Sequence, residues 1–144
     1  MTADYEQNAM LPSVEEYRQL RDACGLSAAS FEAARRGLPN SLCATVVRLD
    51  GELVAMGRVV GDGGRNFEIV DVAVHPDHQR RGLGTRIMRA LRDWLDEHAP
   101  ESAYVSLIAD DHSPKLYAKF GFEATTPKSI GMAYIVGTGE TERE

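Results

Sequence analysis

Helical spacing of apolar residues marks two stretches of the chain. In the first, Ser13 and Glu16 form a capping-box pattern, which precedes apolar residues at helical intervals: Tyr17, Leu20 and Cys24. This pattern predicts a helix over Val14–Ala23, which Gly25 ends. A longer apolar series begins after Gly82 and comprises Leu83, Ile87, Leu91, Trp94 and Leu95. It predicts the longest helix of the chain, which ends before Pro100.

Two shorter helices are predicted from start and stop signals. The first covers Phe31–Arg36 and is stopped by Gly37 and Pro39. The second covers Lys115–Phe120, because Ser113-Pro114 is typical of a helix start and Gly121 lies just past its end.

Between these helices the apolar pattern is that of strands. Residues 41–49 and 52–60 are rich in Val, Leu and Ala, and Asp50-Gly51 between them predicts a hairpin. Residues 66–74 predict a central strand that is covered on both faces. Residues 104–109 are predicted to form another strand, and the long helix before it implies a right-handed crossover between parallel neighbours. Residues 122–124 and 130–136 are predicted to form a closing hairpin or edge strands.

Length and composition narrow the class of protein. The 144 residues favour one domain, with residues 1–12 and 137–144 expected to be flexible ends. A formal charge of −6 argues against nucleic acid or an anionic membrane as partner. We find no apolar run long enough for a membrane helix and no secretory signal pattern, so a cytoplasmic location is expected. Cys24 and Cys43 fit that expectation as reduced thiols.

The candidate chemistry lies between the central strand and the long helix. There Val72–Val74 leads through Gln79, Arg80 and Arg81 into Gly82 and Gly84. Helix N-termini stabilise anions, glycines allow close approach, and arginines bind phosphate oxygens. A dinucleotide fingerprint would need glycine where Ile87 stands, and a Walker loop would need Gly-Lys-Ser/Thr. From the residues alone, an anion site and a tight turn with solvated arginines both remain open.

Two motifs in order make the arrangement more specific. Gln79–Gly84 fits the pattern R/Q-x-x-G-x-G/A, and about 30 residues later the chain has Leu116-Tyr117 and then Gly121-Phe122. The chain thereby resembles the GNAT superfamily of acetyl-CoA-dependent N-acetyltransferases over residues 42–136. The resemblance implies an α/β (α+β) fold of GNAT type, in which helices flank a mixed, mostly antiparallel central sheet with a parallel pair at its centre.

The resemblance also implies which residues bind acetyl-CoA. The amides of Arg81, Gly82, Gly84 and Thr85 would hold the diphosphate, and the backbone of Val72 and Val74 would pair with the pantetheine arm. The full set implied is Val72, Ala73, Val74, Gln79, Arg80, Arg81, Gly82, Leu83, Gly84, Thr85, Asp110, Ser113 and Tyr117. Many family members have Asn where this chain has Asp110, and an ionised carboxylate accepts hydrogen bonds but cannot donate them.

Three residues are implied to take part in the chemistry. The Val74 amide would donate to the oxyanion, and Tyr117 would protonate the departing thiolate. The alternative for Tyr117 is a core residue with an anchored hydroxyl. Asp71, inside an apolar strand, is the candidate base, and its alternative is an ion pair with an arginine. Glu68 is a second candidate base that would act through water.

The sequence predicts an enzyme of the acyltransferase class. It would transfer the acetyl group of acetyl-CoA to a primary amine of a small molecule or peptide, and the alternative is a non-catalytic acyl-CoA sensor. Acidic residues near the first two helices suggest a cationic amine: Glu15, Glu16, Asp22 and Glu32. His75 and His78 are expected to be loop residues without metal, and His112 is a candidate substrate contact. A homodimer is expected by analogy with the family.

Overall fold

The computed structural model describes residues 4–110 and 113–137. It contains five strands, which we number in chain order: β1 (Glu6–Asn8), β2 (Cys43–Leu49), β3 (Glu52–Gly61), β4 (Asn66–Val74) and β5 (Tyr104–Ser106). The four α-helices are α1 (Val14–Ala23), α2 (Phe31–Gly37), α3 (Leu83–His98) and α4 (Pro114–Ala118). Short 3₁₀ turns cover Leu38–Asn40 and Pro76–His78. The helices predicted from apolar spacing and capping signals are all present.

The strands form one sheet in the order β1-β2-β3-β4-β5. The first three pairings are antiparallel, whereas β4 and β5 are parallel, which confirms the mixed sheet. Asp50 and Gly51 join β2 to β3 with φ angles of 51° and 82°, so both central turn residues are left-handed as a type I′ hairpin requires. The parallel pair was expected at the centre of the sheet. In the described sheet it lies at one edge.

The closing strands predicted over residues 122–124 and 130–136 are not strands in the structure. An alternating apolar pattern produces a strand when one of its faces packs on a core. Here Ile130 and Met132 are 66% and 86% exposed, so no burial fixes their pairing. This prediction was wrong, and its failure leaves β5 at the edge of the described sheet.

The N-terminal segment forms a strand where none was expected. Residues 1–12 were expected to be flexible, but Glu6–Asn8 forms β1 and pairs with β2, with Gln7 opposite Val47. The pairing uses backbone groups at the edge of β2, so it needs no apolar alternation in the polar segment. Residues 138–144, the other expected flexible end, lie outside the described residues.

The sheet lies between two layers of helices. On one side α3 and α4 cover a core formed by Val47, Val59, Phe67, Ile69, Leu83, Ile87, Leu91, Leu95, Tyr117 and Phe120. On the other side α1 and α2 cover a second core formed by Tyr17, Leu20, Ala34, Leu38, Val46, Met56 and Ala73. Gly57 lets α3 approach the sheet closely, because a Cβ there would lie 2.5 Å from Ile87 Cγ2.

No helix among the described residues is both long enough and apolar enough to cross a lipid bilayer.

Candidate functional site

A cleft opens where β4 and β5 stop pairing. The parallel ladder joins residues 66–68 to residues 104–106 and ends there. Beyond it, residues 69–74 of β4 have no strand neighbour on that side within the described part of the chain. A cavity of about 210 Å³ lies at the start of this opening, lined by Ile69–Val72, Leu107, Ile108 and Tyr117 among others. Strand β4 therefore has a hydrogen-bonded neighbour on both of its edges along only part of its length.

The direction of the β4 backbone shows what faces this cleft. The His75 N–H donates to the Val54 carbonyl at 2.8 Å, so this pair is directed at β3. Antiparallel pairs alternate in direction, which turns the N–H and carbonyl of Val74, the next residue, away from β3. The Val74 carbonyl accepts hydrogen bonds from Gln79 Nε2 at 3.1 Å and Cys24 Sγ at 3.4 Å. The Val74 N–H is thus directed to the open side, as the predicted oxyanion donor must be.

A bulge in β4 lies beside the cleft. Met56 pairs with Ala73 and Arg58 pairs with Val70, so two residues, Asp71 and Val72, stand opposite Gly57. Asp71 has a φ of 59°, in the left-handed region that aspartate tolerates better than most residues. Such a bulge increases local bending of the strand and redirects the side chains on either side of it. Nothing in the sequence pattern indicated it.

Asp71 is the centre of a charged cluster on the α1 side of the sheet. Its carboxylate accepts from Arg21 Nη1 at 2.5 Å, Arg58 Nε at 2.7 Å and the Tyr17 hydroxyl at 2.8 Å. Burial and the Asp71 charge raise the pKa of Tyr17, so the phenol stays protonated and donates. Two cations and a hydroxyl occupy both carboxylate oxygens. This is the ion pair that was weighed as the alternative to a base.

Two other carboxylates line the same cavity. Glu68, three residues before Asp71 on β4, and Asp110, beyond β5, both lie at its wall. Neither side chain has an ion-pair partner among the residues the structure describes. Of the two candidate bases, Asp71 is therefore ion-paired and Glu68 is not, within the described residues.

Tyr117 approaches the cleft from α4. Its side chain is buried, lines the cavity and makes an edge contact with Phe122 at 6.4 Å between ring centroids. Burial raises its pKa, the Ser113 hydroxyl partly offsets the rise, and the negative charge of Asp110 adds to it. The phenol is accordingly held in its protonated form. Tyr117 belongs to the core and also lines the cleft, so its position is compatible with either of the two roles weighed for it, and the role of acid stays a prediction.

The loop before α3 has the backbone that an anion site needs. Arg80 and Gly82 have φ angles of 64° and 80°, and Gly82 is the N-cap residue without a side-chain hydrogen bond. The first turn contains no acidic residue. The first N–H groups of a helix lack intrahelical partners, so the amides of Leu83, Gly84 and Thr85 are available to an external acceptor. Alternation of left-handed and right-handed residues turns successive N–H groups toward one point.

The side chains of this loop separate into two kinds. Arg81 Nη1 donates to the Tyr5 hydroxyl at 2.9 Å, and Gln79 is held by Val74. Arg80 is exposed and has no side-chain partner within the described residues, so its guanidinium is the free cation of the loop. A Cβ at Gly84 would lie 3.3 Å from Leu116 Cδ2, which places the start of α3 directly against the helix that carries Tyr117.

The histidines have structural partners. His75 Nδ1 accepts from the Asp77 N–H at 3.1 Å, and His78 Nδ1 lies 2.9 Å from the Tyr5 hydroxyl. In the described part of the chain no group of three or more His, Cys, Asp or Glu side chains is arranged to hold a metal ion. His112 lies outside the described residues.

Sequence reasoning missed four residues around the site. Tyr5 was placed in a flexible end, and Tyr17, Arg21 and Arg58 were not singled out. Tyr17 and Arg21 lie on α1 four residues apart, which puts them on one face of the helix, but only the fold brings that face to Asp71.

Comparison with known proteins supports one family. A family model for the acetyltransferase (GNAT) family matches residues 9–122. An uncharacterised N-acetyltransferase of Porphyra purpurea is 30% identical over 122 residues, which cover 82% of this chain and 69% of the relative. Another from Pyropia yezoensis is 31% identical over 111 residues. The aligned part covers 74% of this chain but only 63% of that relative's length.

Solved structures agree with this. A Staphylococcus aureus protein of unknown function, titled a probable acetyltransferase, is 42% identical with a TM-score of 0.89 and covers 92% of this chain and 99% of its own. A GNAT-family acetyltransferase from Streptococcus pneumoniae is 24% identical, covers 93% and 98% of the two chains, and shares the fold with a TM-score of 0.69. The sheet that opens beside β4, the uncapped start of α3 and these matches lead to one conclusion: the chain belongs to the GNAT family of acetyltransferases.

Proposed function

We propose that this protein transfers the acetyl group of acetyl-CoA directly to a primary amine of a small molecule or peptide. The observation that carries the proposal is the cleft between β4 and β5, which has the Val74 N–H directed into its open side and Tyr117 at its wall. The uncapped start of α3 lies against α4 at the same place. A thioester, its arm and its diphosphate therefore have adjacent sites.

The coenzyme would lie along the chain from the α3 terminus to the cleft. Its diphosphate would accept hydrogen bonds from the amides of Gly82, Leu83, Gly84 and Thr85, with Arg80 as an added cation. Its pantetheine arm would follow the open backbone edge of Val72–Val74 like an added strand. This placement brings the thioester between the Val74 N–H and Tyr117.

Acetyl transfer would then proceed in one displacement. The lone pair of the neutral amine attacks the thioester carbonyl carbon, and the Val74 N–H donates to the oxygen that becomes negative. When the carbon–sulfur bond breaks, the Tyr117 hydroxyl gives its proton to the leaving sulfur. The raised pKa of Tyr117 keeps that proton in place until the thiolate forms.

The base that removes the amine proton would be Glu68, acting through water. Asp71, the other candidate, already accepts from Arg21, Arg58 and Tyr17, and an amine would have to displace one of them. Glu68 has no such partner among the described residues and lines the same cavity. We assign Asp71 the role of holding the β4 bulge.

The acceptor would be a small cationic amine. The cavity of about 210 Å³ has room for a compact group, and Glu68 and Asp110 give it two carboxylates that form no ion pair within the described residues, whereas Arg21 at the same wall is paired with Asp71. Asp110 stands where a donor occurs in many relatives, and as a carboxylate it accepts a hydrogen bond from an ammonium group.

The exposed surface bears on a homodimer, and the two cysteines bear on the location of the protein. The homodimer expected for the family is supported by apolar side chains that stay exposed near the C-terminus, such as Ile130 and Met132. Neither Cys24 nor Cys43 forms a disulfide, which is compatible with the proposed reducing, cytoplasmic location. Light scattering of the purified chain tests the dimer.

The function is tested by measuring CoA release from acetyl-CoA over a panel of amines. We expect turnover with small cationic amines, a decrease in kcat of about 100-fold or more for Tyr117→Phe, and little change in the KM for acetyl-CoA. Glu68→Gln should also lower kcat, most strongly below the pH at which the amine is neutral. Tyr134→Phe, the same change at an exposed position, is the matched control.

A non-catalytic sensor gives a different result. Calorimetry would then show CoA binding, while the release assay would show no turnover with any amine. Tyr117→Phe would change neither the affinity for CoA nor the absence of turnover. Absence of CoA binding by the folded protein contradicts both functions.

A further inference from the structure

The N-terminal segment contacts the loop between β4 and α3, residues 75–82, through the side chain of Tyr5. The Tyr5 hydroxyl lies 2.9 Å from His78 Nδ1 and accepts from Arg81 Nη1, also at 2.9 Å. The rings of Tyr5 and His78 meet edge to face, with centroids 5.7 Å apart and planes at 85°. One side chain thus contacts residues on both sides of Gln79–Arg80, the middle of the loop.

The donors available fix the direction of one of these two hydrogen bonds. The Arg81 guanidinium only donates, so the Tyr5 oxygen accepts from it. In the bond between the Tyr5 hydroxyl and His78 Nδ1, the ring tautomer decides which atom donates. Tyr5 and the two loop residues form one continuous hydrogen-bonded chain.

Gln7 attaches the same segment to the first turns of α3. Its Nε2 donates to the Arg86 carbonyl at 3.1 Å and to Thr45 Oγ1 at 3.0 Å, and its Oε1 accepts from Arg86 Nε at 3.3 Å. Gln7 belongs to β1, which pairs with β2. The contact therefore fixes the start of α3 relative to the sheet.

The loop needs such support because of its backbone. Arg80 is not a glycine, yet its φ is 64°, in the left-handed region that is unfavourable for a residue with a Cβ. Strained conformations of this kind persist where surrounding contacts hold them in place. Tyr5 makes its contacts at residues 78 and 81, on either side of Arg80.

We propose that Tyr5 is a positioning residue for the diphosphate of the coenzyme. It keeps the loop in the conformation in which the amides before and within the first turn of α3 converge, although Tyr5 itself touches no reacting atom. The inference rests on the proposed function in one respect, namely that the anion is the diphosphate of CoA. It assigns coenzyme affinity to a residue outside both sequence motifs.

The test compares Tyr5→Phe with wild type on two acetyl donors. Acetyl-CoA carries the diphosphate, whereas S-acetylpantetheine has the same thioester and arm without it. Tyr5→Phe removes both hydrogen bonds to the loop, and because only part of their net stabilisation is passed on to the bound coenzyme, the Kd for CoA, measured by calorimetry, should rise about fivefold to tenfold. We expect kcat/KM for acetyl-CoA to fall by the same factor, with kcat at saturation unchanged.

With S-acetylpantetheine, kcat/KM of Tyr5→Phe should equal that of wild type, because this donor makes no use of the loop. Tyr134→Phe serves as the matched control for loss of a phenol oxygen. His78→Asn keeps an acceptor for the Tyr5 hydroxyl and should retain more CoA affinity than His78→Leu.

Three outcomes would overturn the inference. Unchanged CoA affinity in Tyr5→Phe shows that the contact does not position the loop, and leaves the proposed function intact. An equal loss with both donors shows a general structural effect instead. If wild type binds no CoA, the proposed function and this inference both fail, which the wild-type titration alone reveals.

Discussion

The N-termini of α1 and α3 solve the same backbone problem in opposite ways. In α1 the Ser13 hydroxyl accepts from the Glu16 N–H at 3.1 Å, and the Glu16 carboxylate accepts from the Ser13 N–H at 3.0 Å. In α3 the N-cap is Gly82, which has no side chain to offer, and no acidic residue stands in the first turn. The first terminus is closed by its own sequence and the second is open.

The comparison teaches how stability and binding are divided. A capping box satisfies two orphan donors and stabilises its helix by about 1 kcal/mol. An uncapped terminus forgoes that stabilisation and keeps its N–H groups for a ligand. In this chain the closed terminus begins a helix on the side of the sheet that α1 and α2 cover, and the open one begins the helix beside the cleft.

The largest effect is expected when a carboxylate is placed at the open N-terminus of α3, because it would then be capped by a negative charge as the N-terminus of α1 is. A Cβ at Gly82 meets no atom within 4 Å, so Gly82→Asp fits in space, although the φ of 80° adds strain. Like charges about 5 Å apart repel by about 3 kcal/mol at an effective dielectric constant near 20. We therefore expect about 100-fold weaker CoA binding by calorimetry.

Gly82→Asn is the matched control for that prediction. It adds the same number of heavy atoms and the same backbone strain without the charge, so its loss of affinity should be much smaller. Equal losses in the two variants would mean that backbone conformation, and not charge at the helix terminus, determines coenzyme binding.

Opening the closed terminus should affect stability alone. Ser13→Ala removes the acceptor for the Glu16 N–H and should lower the free energy of unfolding by about 1 kcal/mol in denaturant titrations. Ser13→Gly should be less damaging, because glycine is tolerated at an N-cap. CoA affinity should not change in either variant, and a parallel loss of affinity would show that the two termini are coupled.

The smallest effect concerns pH and the carboxylate of the closed terminus. The hydrogen bond from Arg48 is the main cause of the lowered pKa of Glu16, with the Ser13 N–H contributing. The folded-state pKa lies below the ordinary value of 4.5, so this stabilisation is present above pH 4.5 and is lost as the pH falls through the lowered value.

Glu16→Gln should therefore reduce the free energy of unfolding at pH 7 by less than about 1 kcal/mol. The difference from wild type should shrink as the pH falls below 4.5. Unfolding curves measured at several pH values check this, and a difference that stays constant down to acidic pH would contradict the assigned cause.

The parts of the fold that the sequence predicted depend on local chemistry. Ser13 and Glu16 determine the start of α1, Gly82 and the apolar series determine α3, and Asp50-Gly51 provides the left-handed residues of the hairpin. Each signal acts within a few residues of the feature that it produces, so it can be recognised without knowing the fold.

The parts that were missed depend on residues far apart in the chain. β1 is polar and forms because the edge of β2 offers backbone partners. The bulge at Asp71 is held by Arg21 and Tyr17, about 50 residues earlier in the chain. Residues 130–136 have a strand pattern, but no core receives their side chains. Such features follow from tertiary packing and leave no local signal.

The candidate site divides in the same manner. The motif at Gln79–Gly84 located the loop, and the structure gives it the expected open helix terminus. The roles of Val74 and Tyr117 remain predictions. That Arg81 is tied to Tyr5 while Arg80 stays free could not be read from two adjacent arginines, because the difference lies in what the N-terminal segment contacts.

The close approach of α3 to the sheet at Gly57 bears on where the open terminus of α3 lies. Ile87 stands one turn beyond Gly84, and a Cβ at Gly57 would lie 2.5 Å from Ile87 Cγ2, so the glycine lets the first half of α3 approach β3 this closely. A single added methyl group at residue 57 would act as a wedge and tilt the helix. In the proposed binding mode, the spacing between the diphosphate and the thioester therefore depends on the absence of a side chain at residue 57, deep inside the protein, where neither substrate would contact it.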